Sequence, residues 1–484
     1  MHEPTLRAAA LPLAVVASLL FAGCATPPAP ANEALSFGSV TLPQPGAATS
    51  LQFQRDLSIE RWWVLFDDPA LTRLVDDALR DSHDLAAAAA RVRSARAQLD
   101  ERRGAQGPAL ELQAGHTRAR QAGFDATGTQ HTAALAGRYE LDLWSRLASG
   151  SESARQSLLA QAWAQAALQA SLAAQLADAW FALRALDRQM QISDALRESR
   201  RGTLRLRHQE RAIGAASEFE LRRAEAELAG SESSLAGMKR QRSALESGIA
   251  LLAGRPVHQI ATLTMPAAPL DVSQPFTARL PQGNAAELLA RRPDIRQAEA
   301  ELAAARANVS AARAATLPSI VLAGNVGSDA RSLSRLFEGP GFFWSLALSA
   351  SQVLFDGGQA QARVRGADAR ADELLASYRK TVTAALIDLR DAYAELEFSE
   401  EAQRAEQQRV AALGRARGLA QLGVRNGALG TLDLLDAERN HYQAQLAEVD
   451  ALRDRLQGQV AAFKAVGGGW SPATLAKNTS GEPS

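Results

Sequence analysis

Asp84 to Gly115 reads DLAAAAARVRSARAQLDERRGAQGPALELQAG, and Asp294 to Asn325, 210 residues later, reads DIRQAEAELAAARANVSAARAATLPSIVLAGN. Laid together without gaps, they agree at ten positions, among them Asp84/Asp294, Arg96/Arg306, Arg103/Arg313, Pro108/Pro318 and Leu112/Leu322. Five of the ten are alanine in an alanine-rich chain and weigh little. The proline pair weighs more. In both copies a helix pattern stops before the proline and an alternating strand pattern starts after it. Further on, GAASEFELRRAE from Gly214 echoes GALGTLDLLDAE from Gly427 at a shift of 213. The chain reads as two tandem copies of one long unit. The boundaries read as 61–270 and 271–470, after a leader at 1–23 and a linker at 24–60 and before a tail at 471–484.

Around Pro108 and Pro318 lie four alternating segments. Leu110, Leu112 and Ala114 alternate with Glu111, Gln113 and Gly115. Leu135, Gly137, Tyr139, Leu141 and Leu143 alternate with Ala134, Ala136, Arg138, Glu140 and Asp142. Ile320 and Leu322 open the third segment. In the fourth, Phe342, Trp344, Leu346 and Leu348 alternate with Phe343, Ser345, Ala347 and Ser349. One such segment fits a soluble sandwich strand. Four in two matched pairs, with one greasy and one small or polar face, fit a transmembrane barrel.

The helical stretches are long. From Ser145 to about Arg201 no proline and one glycine intervene, which predicts a helix of about 85 Å at 1.5 Å per residue. Apolar or small residues step by three and four from Leu221 to Leu252, from Leu375 to Leu396 and from Tyr442 to Phe463, with Arg242 interrupting the first seam. That period specifies helices packed along their length. Alanine is dense beside the seams, notably from Ala160 to Ala185, so each helix has room for neighbours on two sides. Gly202 and Gly214 in one copy, and Gly418, Gly423, Gly427 and Gly430 in the other, read as the turns of two helical hairpins. Asp68-Pro69 reads as the N-cap and first position of a helix behind the apolar cluster Trp62, Trp63 and Phe66.

At the N-terminus, Arg7 precedes an apolar run from Ala8 to Ala22 that ends at FAGC, Phe21 to Cys24. The run is too short to span a bilayer and has the length of a signal-peptide core. Cys24 is the only cysteine, so no disulfide is available within the chain. The stretch resembles a bacterial lipobox, with Phe21 where leucine is usual, and the resemblance implies cleavage before Cys24 and acylation on it. Ala25 in place of aspartate resembles an outer-membrane address. Residues 25–55 are rich in Pro, Ala, Gly and Ser and read as an extended linker.

The chain as a whole resembles the outer membrane factors, the TolC-like exit ducts, and in particular their NodT-type lipoprotein branch. The resemblance rests on RWWVLFDDPALTRLVDDAL from Arg61, YELDLWSR from Tyr139, LLARRPDIRQAEAELAAARANVSAARAATLPSI from Leu288, VLFDGGQ from Val353, LDLLDAER from Leu432 and AVGGGW from Ala465. It implies a mixed α/β membrane protein, a homotrimer in which each protomer lends four strands to one 12-stranded barrel and its helices to a long periplasmic tube. It implies a passive duct for small toxic molecules, working with an inner-membrane efflux pump and a periplasmic membrane-fusion adaptor, and anchored in outer-membrane lipid. Four strands cannot close a barrel alone, since bacterial single-chain barrels start at about eight. A type I duct for polypeptides and a periplasmic coiled-coil adaptor without a barrel are the rival readings.

No constellation for catalysis, cofactor or metal binding is legible, so no enzyme is expected. The seven histidines are scattered without metal spacing. The 53 basic and 53 acidic residues balance, which argues against nucleic acid as a partner. Gly467 to Gly469 reads as a helix stop. Arg291, Arg292 and Asp294 read as a local polar network, with Asp294 capping the helix that starts there and Asp84 capping its counterpart. The resemblance also implies a gate where the hairpin tips converge. Arg425, Asn426, Asp433 and Asp436 are its candidates, with Glu218 and Glu220 on the first hairpin. Arg425 departs from relatives that carry an acidic residue in this turn, which argues against a simple cation-binding ring. For Asp433 and Asp436 an inter-hairpin salt bridge or a solvated face fits as well as a role in the gate.

Overall fold

The computed structural model describes residues 59–120, 127–255, 269–271 and 289–470. The leader, Cys24, nearly all of the linker and the tail from 471 lie outside the described residues.

The first copy opens on a 3-10 segment, Ile59–Phe66, which takes in the last two residues assigned to the linker. It continues through α1 (Pro69–Asp81), α2 (His83–Gly104), β1 (Ala109–Arg120), β2 (Thr127–Glu140), α3 (Arg146–Ala212) and α4 (Glu218–Leu252). The second copy holds α5 (Pro293–Ala314), β3 (Ser319–Ala330), β4 (Phe342–Ser351), α6 (Gln359–Arg425) and α7 (Thr431–Ala465).

The repeat survives in element lengths. Helices α2 and α5 each have 22 residues, and β1 and β3 each have 12. The long helices α3 and α6 both have 67 residues and their return helices both have 35. At 1.5 Å per residue the long helices run about 100 Å, past the predicted end near Arg201. Left-handed backbone positions repeat too. Gly214 and Gly427 turn the two hairpins, and Gly254 and Gly467 stop the two return helices. Ser145, ahead of α3, matches Gly358 ahead of α6, both with positive φ.

Three of the glycines read as turns are not turns. Gly202, Gly418 and Gly423 lie within the long helices. Gly423 has a packing reason. A Cβ there would come within 2.6 Å of the Leu429 side chain, which folds back over it from the turn. Gly418 has open space around it and Gly202 only the tip of Arg205 at 3.9 Å, and a glycine inside a helix costs only about 1 kcal/mol.

The capping assignments divide. Asp68 caps α1 as expected, accepting from the backbone N–H of Ala70 and Leu71 at 2.9 and 3.1 Å. Its other oxygen accepts from Trp180 Nε1 and Arg184 Nη1, each at 2.8 Å, so one carboxylate starts α1 and docks it on α3. Neither Asp84 nor Asp294 is the N-cap: the N-caps are Ser82 and Arg292, and both aspartates sit two residues further in. Asp294 Oδ1 still accepts from the first-turn N–H of Ile295 at 3.0 Å. Pro293 takes the first helical position, where its missing N–H is no loss, and this fixes Arg292 as the cap. The polar network forms around buried Arg292, which donates to Asp294 and Asp388 at 2.8 and 2.9 Å and to the carbonyl oxygens of Ala385 and Ala465. Arg291 remains exposed.

One apolar core gathers the ends of the copies. Trp62 stacks on Phe463 with ring centroids 5.6 Å apart, and Phe66 meets Phe181 at 4.9 Å. Val449, Leu452, Leu456 and Val460 of the last seam are buried in it, as are Leu172, Leu176 and Leu183 of α3. Arg242, the seam interruption, pairs with Asp187 at 2.7 Å and Glu246 at 2.6 Å. The counterpart of this pair is Arg455 with Glu400, at 3.8 Å.

Asp178 is the uncomfortable group in this core. Its Oδ1 is buried with no hydrogen-bond partner among the described residues, and burial pushes its carboxyl up to about 6, against the pull of Lys464. The folded state therefore holds an extra proton between the ordinary carboxyl value and about 6, and stability falls as pH rises through that window. Asp178→Asn is expected to stabilise the protein at pH 7.5 by ~1–2 kcal/mol, a value reduced from the full linkage because the group is partly exposed. The gain should shrink toward zero near pH 4. Denaturation midpoints of both proteins at the two pH values measure it, and an equal difference at both would show that the charge is not the cause.

Candidate functional site

The four strands form one antiparallel sheet in the order β1-β2-β3-β4. The two hairpins expected from the sequence are joined by a third pairing, β2 with β3, so the copies share a continuous sheet. Register sorts the side chains. Leu112, Leu135, Val326 and Trp344 form one cross-strand row, and Leu110, Gly137, Gly324 and Leu346 the next. These rows lie on one face and are uncovered in the protomer: Leu112 is 79% and Trp344 71% exposed. On the opposite face the rows hold Gln113, Ala134, Gly327 and Phe343, then Glu111, Ala136, Asn325 and Ser345. Gln130 Nε2 donates to Asp329 Oδ2 at 2.8 Å there, and Ser345 Oγ donates to Asn325 Oδ1. One face is built for hydrocarbon and the other for water.

Short polar joints aim the sheet at the helices. Glu140, the last residue of β2, takes a two-pronged ion pair from Arg146, the first of α3. Trp144 Nε1 donates across the repeat to the Pro318 carbonyl oxygen at 2.7 Å. After β4, Asp356 accepts from the backbone N–H of Gly358 and Ala360, and the Ala360 bond above all holds its carboxyl below the usual range. Gly357 and Gly358 both have positive φ, so the LFDGG stretch needs its two glycines.

At the far end are the hairpin tips, where the gate candidates sit. Glu220 is in a capping box: it accepts from Ser217 N at 2.9 Å, and Ser217 Oγ accepts from Glu220 N at 3.2 Å. The bond from Ser217 N, and a second from Ser217 Oγ at 3.0 Å, lower its carboxyl. Glu218 pairs with Arg211 and Arg222. Asp433 accepts from Gly430 N at 3.0 Å, which caps α7. Asp436 pairs with Arg439 and accepts from Asn440. Arg425 ends α6 and Asn426 caps it, both exposed, and neither side chain engages a partner among the described residues. Four of the six candidates thus serve their own hairpin, and two stand free. An apolar surface lies beside them: Ile213, Phe219, Leu419, Leu422, Leu429 and Leu432 are all exposed. Of these, Leu429 and Leu432 are legible in the sequence from their tip positions beside the turn glycines.

Among the described residues no group of three or more His, Cys, Asp or Glu side chains could hold a metal ion. No helix among them is long and apolar enough to cross a membrane.

A two-faced sheet open at both edges, set on helices three times the thickness of a bilayer core, defines an outer-membrane channel protein with a periplasmic helical body. The chain belongs to the outer membrane efflux protein family, which it matches over residues 74–255 and 284–468. It is similar to the pyoverdine export outer membrane protein OpmQ of Pseudomonas putida, at 33% identity over 467 residues, 94% of this chain and 96% of that one. It is also similar to the probable outer membrane lipoprotein SilC of Salmonella typhimurium, at 28% identity over 475 residues, 95% and 98% of the two chains. The solved outer-membrane channel OprN superposes with a TM-score of 0.81 at 33% identity, covering 89% of this chain and 98% of that one. The protein is an outer-membrane efflux channel, and the reading as a barrel-free adaptor falls.

The two faces give a paired test. Leu346→Arg places a charge on the lipid face and should cost ~2–4 kcal/mol near the bilayer midplane. Ser345→Arg, one residue away, should leave assembly intact and change conductance. Urea titration of the folded protein in detergent and planar-bilayer recording separate them. Equal destabilisation by both would reverse the assignment of faces.

Proposed function

We propose that this chain acts as a homotrimer whose three sheets close one 12-stranded barrel, carrying small toxic molecules passively from an inner-membrane pump and a periplasmic adaptor to the cell exterior. The observation that supports this most is the sheet itself. Its outer face is apolar, its inner face polar, and β1 and β4 end it with one unpaired edge each. Pairing β1 of one protomer with β4 of the next satisfies every edge. The inner wall, with Ser, Ala, Asn and Gln among few charges, suits a load that is not held. That OpmQ is named for pyoverdine export favours small molecules over polypeptides as the load. The tip apolar surface offers the adaptor a place to dock.

Cys24 is the proposed lipid attachment, supported by the FAGC ending of the leader-like run and by a relative named as a lipoprotein. A chain bearing Cys24→Ser should lose radioactive fatty-acid label in a bacterial host and keep its trimer, because barrel edges and helix packing do not involve the lipid. Equal labelling of both proteins would remove the assignment.

The resting duct is proposed to close at the tips, with Arg425 reaching an acidic group of a neighbouring hairpin, such as Asp436, which is exposed as Glu218, Glu220 and Asp433 also are. One exposed ion pair contributes only ~0–1 kcal/mol, but three symmetric copies add, and a gate needs a bias of a few kcal/mol. Arg425→Glu and Asp436→Arg should each raise single-channel conductance and sensitise cells to vancomycin, and the double swap should partly restore closure. Single variants that conduct and leak like the parent would assign closure to the exposed leucines, Leu429 and Leu432.

A further inference from the structure

We propose that His116 and His131 form a two-histidine site for a divalent transition-metal ion of the copper and zinc class, on the outward face of the β1–β2 hairpin. The two residues are 15 apart in sequence, a spacing that signals nothing. Antiparallel register makes them direct cross-strand partners. Their side chains share the face of Leu112, Leu135 and Trp344, and His116 is exposed.

The spacing of the two nitrogens is that of two ligands on one ion. The Nδ1 atoms are 3.3 Å apart. Two imidazole nitrogens bound at ~2.0–2.1 Å to a tetrahedral ion lie about 3.3–3.4 Å from each other. The ring centroids are 4.6 Å apart with the planes at 45°. Two imidazoles aimed at one tetrahedral ion would hold their centroids about 5 Å apart, so the rings must swing slightly apart on their side-chain torsions to bind. A neutral pair sharing one proton is the competing account of the same contact. It explains the distance equally well, and a metal titration separates the two.

The surroundings set the class of ligand and its strength. Imidazole suits copper, nickel and zinc rather than calcium or magnesium, and Cu2+ binds tightest of the divalent series. The next outward pair is Arg118 with Thr129, and the row below holds Ala114 and Ala133. With no carboxylate among these neighbours and a cation nearby, water completes the coordination and affinity is moderate. A bound ion would cross-link β1 to β2 at the loop end of the hairpin. The position of the site on the barrel exterior rests on the trimeric reading above. The coordination lies within one hairpin and would survive the failure of that reading.

The test uses the full-length protein in detergent, purified without a histidine tag and stripped of metal. Titration with Cu2+ at neutral pH, followed by electron paramagnetic resonance, should show a bound ion with hyperfine splitting from two nitrogens. His116→Ala and His131→Ala should each weaken this signal at least tenfold. Zn2+ should compete for it, and His83→Ala or His441→Ala should leave it unchanged. His131→Gln, which keeps a polar side chain on the sheet, guards against misfolding of the alanine variants, and the circular dichroism spectrum reports it directly. Absence of a two-nitrogen copper signal in the parent protein, or its survival in the double alanine variant, would overturn the site and leave a hydrogen-bonded histidine pair.

Discussion

Hydrocarbon offers a backbone no hydrogen bonds, and this one constraint governs the rest of the chain. Every unsatisfied N–H or C=O in the bilayer costs several kcal/mol. Within one protomer β2 and β3 are paired on both sides, while β1 and β4 are paired on one. Strands of 12 and 10 residues leave two long open edges. Such a sheet is stable in lipid only when its edges meet other copies, so the folding unit and the functional unit differ. The outward leucines and aromatics add the same message from the side chains. They have nothing to cover them in the protomer and need nothing once lipid does.

The repeat is how one short solution was made to serve a large ring. Three residues are gained in the connection between β3 and β4, where the shift moves from 210 to 213: Leu112 faces Leu135 in the first copy and Leu322 faces Leu348 in the second. On either side of that step the helices and the first strand of each copy keep their lengths. The joints are copied with them. A Cβ on Gly254 would strike the backbone of Asp81 at 2.3 Å, and one on Gly467 would crowd that of Arg291 at 3.1 Å, and Asp81 and Arg291 are themselves counterparts. Each return helix therefore ends close against the start of its own copy's short helix, at a left-handed glycine. The ion pairs across the hairpins, Arg242 with Asp187 and Arg455 with Glu400, are copied as well. The copies diverge where they face different tasks: Ser145 takes a left-handed conformation that Gly358 takes more cheaply, and Ser145 is followed at once by the Arg146 anchor to Glu140.

Period and punctuation carried most of this in the sequence. Alternation located all four strands, because a sheet with one lipid face and one water face cannot hide its pattern. Asp68-Pro69 located a helix start because cap and proline act locally. What failed was local evidence read one step too far. Asp294 looked like a cap, yet the proline before it already assigned that position to Arg292. Glycines in α3 and α6 looked like turns, but a helix held by neighbours along its length tolerates them. The β2–β3 pairing and the meeting of His116 with His131 were out of reach, since both depend on register between segments and not on spacing within one. The free state of Arg425 was likewise invisible, because it depends on which carboxylates the caps consume.

The distribution of burial along the hairpins supports the proposal of a gate at the tips. In α3 the buried side chains crowd between Leu158 and Leu186, then thin to Ser193 and Arg200. In α6 they thin to Ala420 in the same way, after Gln403. The aromatic core around Trp62 and Phe463 lies at the opposite end of the return helix from the tip. Local stability follows buried contact, so the tips open at a fraction of the global unfolding cost. Their own polar groups are meanwhile satisfied by caps within each hairpin, which keeps a hairpin intact when it moves away from its neighbours. Movement there would break only contacts between hairpins, the ones proposed for Arg425 and the exposed leucines.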